Sequence, residues 1–371
     1  MAEGTANMTT DTVRSTRRWW QRWPYWVGYA AAVWSLLYGV LGMSWALGGA
    51  GFPFGRENDP QAALSVLEGA QATTGGPIIA ALGLVGALVA VAMARTWGRG
   101  IIRAVLRAFA WVVAATLVLG IPDYRLLMAV AYAPIFLLGA PFGWPPANFF
   151  DVITWPVVNQ FVCITGGLCW AGAALAYQRR SSDACASCGR ADDSSDWTTP
   201  VNAARWGKWA VAVAVIIPLL YAATRWAWAL GIPLGISQEF FREGQAVGLW
   251  WAGAALATVA IIGALLTLGL VQQWGEIFPR WIPILAGRRV PPGLAIVPAL
   301  LVAILVTTAG LMFVRLTLLG AISESFTFID EEDWAALAPE LLWPFWGVAL
   351  AAATLAYYYR RRGTCVRCGR G

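Results

Sequence analysis

Four cysteines in two short motifs are the clearest candidates for chemistry in this chain. The motifs Cys185-Ala-Ser-Cys188-Gly and Cys365-Val-Arg-Cys368-Gly each place two thiols three residues apart. The glycine permits a turn that lets backbone N–H groups approach the sulfurs, and two such motifs are typical of a four-cysteine zinc site. The spacing predicts one structural Zn²⁺, with a redox dithiol or metal-free tails as alternatives. The four predicted ligands are Cys185, Cys188, Cys365 and Cys368.

Other common catalytic groups are scarce. The chain contains no histidine, which removes the commonest general base and the commonest transition-metal ligand. Cys163 and Cys169 lie six residues apart in an apolar segment, which places them about 240° apart around a helix. We therefore predict that these two are buried structural cysteines. Enzyme activity is the less favoured expectation.

A second set of candidate residues is charged and lies at the edges of apolar segments, on the side predicted to face outward. Ionisable groups at that depth usually pair with one another or line a wet cavity. Two interpretations stay open: salt bridges that staple the protein together, or a vestibule for a small molecule or ion. Both predict a carboxylate within about 4 Å of each arginine, directly or through water. The set comprises Glu68, Asp123, Arg125, Asp151, Arg225, Glu243, Arg315 and Asp330.

The elements that position these residues are eight apolar stretches. The chain is 59% hydrophobic and 12% charged, against about 25% charged in a soluble domain. A membrane-crossing helix needs about 20 apolar residues, and the first stretch is too long for a signal peptide. The sequence therefore predicts an all-α, polytopic membrane helix bundle. Its spans are expected at about 27–47, 76–95, 104–122, 155–177, 210–230, 247–272, 293–320 and 341–359.

One further apolar run, 126–140, does not fit this scheme. At 15 residues it is short for a membrane crossing. We interpret it as a continuation of the third helix or as a segment that lies at the outer interface.

Basic residues are distributed unevenly between the two sides. The segments 1–26, 95–107, 178–208, 273–292 and 360–371 hold 21 of the 26 basic residues but 7 of the 20 acidic ones. This positive-inside asymmetry predicts that both termini are cytoplasmic. The basic residues border helices, so anionic lipid explains the net charge of +6 better than nucleic acid does. The bilayer is the expected partner.

The two halves of the chain resemble each other. Trp45-Ala-Leu-Gly recurs at 228–231, Leu175-Ala-Tyr recurs at 355–357, and the cysteine motif recurs at the end of each half. These matches predict two tandem four-helix repeats related by a pseudo-twofold axis along the membrane normal. The predicted parts are a tail at 1–22, a first repeat at 23–190, a polar linker at 191–204 and a second repeat at 205–371.

The Trp-Ala-Leu-Gly-Gly element at 45–49 resembles a feature of uncharacterised multi-pass membrane proteins of high-GC bacteria. The resemblance implies a bacterial plasma membrane and no particular activity.

Three classes of function follow from this architecture. The first is a transporter-like or ligand-binding permease with a charged outer mouth, which takes a small-molecule or ion ligand. The second is a membrane-embedded signalling or regulatory protein that holds a cytoplasmic partner, for example a sigma factor. The third is a membrane enzyme for lipids or isoprenoids, although paired acidic motifs within the membrane are not visible.

Overall fold

The computed structural model describes residues 22–142, 153–182, 184–191, 196–320, 322, 332–365 and 367–370. These parts of the chain are helical, with no strand. The first half contains α1 (Trp23–Ala46), α2 (Ala72–Ala94), α3 (Ile101–Ala115), α4 (Tyr124–Gly139) and α5 (Trp155–Arg180). The second half contains α6 (Pro200–Ala229), α7 (Gln238–Ala246), α8 (Leu249–Leu268), α9 (Pro292–Leu318), α10 (Trp334–Leu341) and α11 (Trp343–Arg361).

Eight segments of the described chain are long and apolar enough to cross a membrane, which indicates a multi-pass membrane protein. All eight predicted spans are confirmed as helical segments of this kind. The third span continues α3 through a π-helical turn, Thr116–Gly120, and the eighth combines α10 with α11.

One helix boundary differs clearly from the sequence prediction. α6 begins at Pro200, inside the segment predicted as a linker, because Thr199 caps it. The Thr199 side chain accepts a hydrogen bond from the Asn202 N–H at 3.4 Å, and proline is favoured in the first helical turn. Residues 200–204 are therefore helix and not linker.

Small residues allow a close helix pairing between α1 and α2. A Cβ added at Gly83 would lie 2.4 Å from the Cα of Gly39 and 2.6 Å from the carbonyl oxygen of Ser35. Close approach of backbones through glycine is a common means of association for helices in lipid, where burial from water contributes little.

The long helices pack in the same order in both halves. In the first half α1 packs on α2 and α5, and α3 packs on α5. In the second half α6 packs on α8 and α11, and α9 packs on α11. The two halves meet where α4 and the π-helical turn pack against α9.

The apolar run at 126–140 forms the separate helix α4. Residues 121–123 interrupt the path from the π-helical turn, so α4 does not continue α3. Leu126 and Ala129 are buried in a cluster with Leu305 of α9 and Ile164 of α5. The segment thus packs between the two halves, which explains an apolar run too short for a crossing.

Both ends of the bundle are tied by side chains that reach neighbouring backbone. We call one end the basic end: there α1, α3, α6 and α9 begin, and α2, α5, α8 and α11 finish. At this end Arg180 donates to the Ala94 carbonyl at 2.8 Å and Arg360 to the Leu270 carbonyl at 2.6 Å. At the opposite end the Trp155 indole donates to the Gly51 carbonyl at 2.6 Å.

Candidate metal centre

Each cysteine motif folds into the same tight turn. The Cys185 N–H donates to the Arg190 carbonyl at 2.9 Å, and the Gly189 N–H donates to the Cys185 carbonyl at 2.7 Å. The turn at Cys365 repeats these bonds with Arg370 and Gly369 at 2.9 and 2.8 Å. Gly189 has φ +76° and Gly369 has φ +69°, a left-handed conformation that favours glycine.

The two turns meet at the basic end of the bundle. One follows the end of α5 at Arg180, and the other follows the end of α11 at Arg361. All four Sγ atoms lie within 4.8 Å of one another. The Sγ atoms of Cys185 and Cys365 lie 4.0 Å apart, and those of Cys188 and Cys368 lie 3.7 Å apart. The structure therefore brings together all four cysteines of the predicted site.

These distances fit a metal better than disulfide bonds. Four sulfurs placed tetrahedrally around Zn²⁺ at about 2.3 Å stand about 3.8 Å from one another. A disulfide would need about 2.05 Å, and all four cysteines are free. The donor set is therefore spaced for a tetrahedral thiophilic ion.

The local electrostatics prepare part of the set for ionisation. Donation from the backbone N–H of Cys188 lowers the pKa of Cys185, and donation from the backbone N–H of Cys368 lowers the pKa of Cys365 to about 6. Burial raises the pKa of Cys188 to about 11. Four neighbouring thiolates repel one another, so full ionisation of the set requires a cation among them.

Arg190 joins the two cysteine turns through hydrogen bonds to backbone carbonyls. Arg190 is 9% exposed, and its guanidinium donates to the Gly363 carbonyl at 3.0 Å and the Arg370 carbonyl at 2.6 Å. Arg179 at the end of α5 donates to the Ser187 carbonyl at 3.2 Å. The turns are thus held by side-chain bonds as well as by their own backbone.

Of the charges at the opposite end, Asp123 and Arg125 lie in one buried network. Arg125 donates to Asp123 at 2.6 Å and to Asp59 at 2.8 Å. The side-chain amide of Gln160 donates to Asp123 at 2.8 Å. Arg125 is 8% exposed and Asp123 1% exposed, so this network is shielded.

Arg225 forms a second buried network with a residue that the sequence analysis did not single out. It pairs with Glu340 in α10 and donates to the carbonyls of Ala335 and Ala336 at 3.3 and 3.2 Å. Its guanidinium also stacks 4.4 Å from the centre of the Trp228 ring. Within this network the arginine has both a carboxylate partner and an aromatic face.

The remaining predicted charges that the structure describes lie outside these two buried networks. Glu68 pairs with the exposed Arg56 at 2.6 Å, and Glu243 is exposed on α7. Arg315 donates to the carbonyls of Leu64 and Ser65 at 2.7 and 3.2 Å, and forms no ion pair with a described carboxylate. Asp151 and Asp330 lie outside the described residues.

The inserted helix α4 explains why Arg125 and Arg315 differ. Arg125 lies in the first turn of α4, whereas Arg315 lies in the last turn of α9. The two arginines therefore belong to unlike elements, and of the two only Arg125 has a described carboxylate within 4 Å, although one was expected beside each.

Comparison with known proteins adds no assignment. No protein-family model, no curated protein and no solved structure matches the chain.

The other two cysteines lie away from the metal centre. Cys163 is fully buried, as predicted, and its thiol lies 3.7 Å from the Tyr38 hydroxyl and from the Asn159 side-chain amide. Cys169 is half-buried, so the prediction of burial was too strong for this residue.

Sequence reasoning missed Asp59 and Glu340 as partners of the buried arginines. Glu340 carried a signal, because a lone acid beside an apolar stretch is costly unless it is paired. Asp59 carried none, since it lies in the irregular segment between α1 and α2.

Proposed function

We propose that this chain binds one Zn²⁺ through its four clustered cysteines, and that the metal fastens its two halves together at the basic end. One observation carries this proposal: four sulfurs from motifs 180 residues apart lie within 4.8 Å of one another. A structural zinc site of this kind is closed by four protein ligands and contributes folding free energy directly.

The proposal includes the tandem repeat and its pseudo-twofold axis. Support comes from the matching order of helix packing and from matching hydrogen bonds. The Tyr177 hydroxyl donates to the Trp97 carbonyl at 2.5 Å, and the Tyr357 hydroxyl to the Gly275 carbonyl at 2.8 Å. A zinc ion held equally by both cysteine turns would lie on this axis.

We place the basic end in the cytoplasm of a bacterial plasma membrane. The excess of basic residues on this side supports that orientation. A reducing cytoplasm would keep the four cysteines as thiols, available to a metal.

Among the classes of function, this geometry favours a membrane-embedded regulatory or ligand-binding protein over a permease that works by rocking. Rocking requires two halves to separate at each membrane face in turn. Here the halves are linked by the cysteine cluster at one end, by α4 against α9, and by Arg315 to the Leu64 carbonyl at the other. A body held at three levels is suited to presenting a fixed surface to a partner or ligand.

A permease is the second candidate, and the outer network favours it. Two carboxylates, Asp59 and Asp123, share one guanidinium there, which leaves an excess of negative charge suited to a cation.

Elemental analysis tests the zinc proposal. Protein purified in mild detergent with reductant should contain about one equivalent of zinc per chain. Cys185→Ser should lower that content, and chelation should lower the melting temperature of the wild type. Cys169→Ser is the matched control and should keep the full equivalent. Metal-free protein with four titratable thiols that oxidise reversibly to disulfides would support the redox alternative.

A further inference from the structure

A cleft beside the cysteine cluster is lined by basic side chains. It has a volume of about 460 Å³ and lies between the basic ends of α1, α2 and α5 and the two cysteine turns. Volumes of about 300–1,000 Å³ are typical of small-ligand sites. We call it the arginine cleft; its lining includes Tyr25, Thr96, Arg179, Arg180, Arg367 and Arg370.

We propose that the arginine cleft binds a phosphate-bearing anion. Four arginines from two parts of the chain line this one space. The guanidinium fork matches phosphate oxygens in a bidentate manner, and such charge-assisted bonds are about twice as strong as neutral ones. The cleft goes beyond the proposed zinc site, although Cys185 and Cys368 contribute to its wall.

The arginines have donor capacity left for a ligand. Arg180 donates to the Ala94 carbonyl at 2.8 Å, Arg179 to the Ser187 carbonyl at 3.2 Å, and Arg367 to the Tyr25 hydroxyl at 2.9 Å. Each guanidinium has five N–H donors, so most remain for other acceptors. Within the described parts of the chain, none of these three arginines pairs with a carboxylate.

Aromatic rings hold two of these side chains in place. The Arg179 guanidinium lies 5.1 Å from the centre of the Trp23 ring, and that of Arg180 lies 5.1 Å from the centre of the Tyr25 ring. A positioned arginine loses less conformational freedom when it binds, which strengthens binding. The arrangement is thus preorganised around Trp23 and Tyr25, and the exposed Arg367 donates to the same Tyr25 at 2.9 Å.

Thr96 at the rim of the cleft has an unusual backbone. It follows the end of α2 with φ +56°, where glycine is the favoured residue. A β-branched residue in this conformation is strained, and such strain is often retained at binding sites. Its hydroxyl donates to the Arg95 carbonyl at 2.7 Å, so the contribution of Thr96 is to the shape of the cleft and not a bond to the anion.

The position of the cleft suggests two sources for the anion. It lies where α1 begins and α2 and α5 end, at the level expected for lipid headgroups if these helices span the membrane. Basic pockets at this depth bind anionic headgroups. A small soluble phosphate compound would present the same chemistry, so an experiment has to separate the two.

Binding of short-chain lipids to the detergent-solubilised full chain tests the proposal. The probes are phosphatidylglycerol, zwitterionic phosphatidylcholine and inorganic phosphate, and zinc content is measured for each variant. The test variant is the double substitution Arg179→Gln with Arg367→Gln. The matched control is Arg288→Gln with Arg289→Gln, two exposed arginines at the same end but outside the cleft.

We expect phosphatidylglycerol to bind more tightly than phosphatidylcholine, and the test variant to lose about tenfold in affinity or more. The control should change by less than about twofold. Competition by inorganic phosphate would assign a soluble source, and its absence a lipid source. An equal loss of affinity for phosphatidylglycerol in the test and control variants, or a loss in neither, would overturn the proposal.

Zinc content keeps this test separate from that of the metal site. Zinc-free wild type that still binds the anion defeats the zinc proposal alone. If the double variant loses zinc, its loss of anion affinity has two possible causes. The single variant Arg367→Gln then separates them, because Arg367 is exposed and is not a predicted zinc ligand. If Arg367→Gln retains zinc and its affinity for phosphatidylglycerol is unchanged, that result would also contradict anion binding in the arginine cleft.

Discussion

Arg190 and Arg370, 180 residues apart, each donate a hydrogen bond to the backbone carbonyl of the other. The Arg190 guanidinium lies 2.6 Å from the Arg370 oxygen, and the Arg370 guanidinium lies 3.0 Å from the Arg190 oxygen. Because each carbonyl also accepts from the first cysteine of its own turn, the exchange joins the two turns directly. The two turns are therefore coupled through protein groups as well as through any shared metal.

This coupling predicts that Arg190→Gln weakens zinc binding without removing a ligand. The bonds from Arg190 orient the turns, and loss of such supporting partners typically costs about 10–100-fold in metal affinity. Arg190→Lys should restore little, because one ammonium cannot replace a planar fork. Competition with a chromophoric chelator measures the change. Arg205→Gln, at an exposed arginine on α6, is the control; equal effects there would indicate a loss of general charge only.

The network of Arg125 predicts an order among three variants. Arg125→Gln leaves two buried aspartates without a counter-charge, and breaking a buried pair in this way costs about 3–5 kcal/mol. Asp59→Asn leaves Arg125 paired with Asp123 and should cost less, about 1–3 kcal/mol. Glu68→Gln removes a surface pair and should cost less than about 1 kcal/mol. Thermal unfolding in detergent measures all three.

Asp59→Asn also distinguishes a purely structural role of this network from a role in cation transport. If the network only staples the helices, Asp59→Asn should lower the melting temperature and leave cation uptake by proteoliposomes at its background value. Cation flux that is present in the wild type and lost in a folded Asp59→Asn protein would favour the permease.

The spans could be predicted because a membrane helix is defined by a continuous apolar stretch of known length, which hydropathy detects directly. That the cysteine turns lie at the same end of the bundle could be predicted, because each motif follows an apolar helix that ends on the side where basic residues predominate. The Sγ atoms of Cys185 and Cys365 lie 4.0 Å apart at this end.

The pairing of buried charges could not be predicted, because it depends on irregular segments. Asp59 reaches Arg125 from the segment between α1 and α2, which has no periodic pattern to indicate its path. Glu340 reaches Arg225 because the short helix α10 precedes α11, whereas the sequence predicted that the eighth span begins only at about residue 341. The location of α4 likewise depends on packing between the halves.

The contact of α1 with α2 predicts a strong effect of one added methyl group. The Cβ of Gly83→Ala would overlap the backbone of Gly39 and Ser35, so the helices must move apart. Overpacking of this kind costs about 1–3 kcal/mol. Gly263→Ala in α8 is the control, since nothing lies within 4 Å of its Cβ and alanine favours helix. A melting temperature that falls for Gly83→Ala and stays or rises for Gly263→Ala is the expected result; similar values would contradict close packing.

The orientation of the bundle predicts which residues a membrane-impermeant thiol reagent can reach. Asp196 is exposed before α6 at the basic end, and Glu243 is exposed on α7 at the opposite end. With the basic end in the cytoplasm, Asp196→Cys should react only after the cells are permeabilised, whereas Glu243→Cys should react in intact cells. A cysteine-free background removes competing thiols. A second set of variants that keeps the four clustered cysteines shows whether the metal site is needed for insertion.

Reaction of Asp196→Cys in intact cells, with Glu243→Cys protected, would place the cysteine cluster outside. The clustered thiols would then face an oxidising compartment, where disulfides replace zinc as the expected link between the halves.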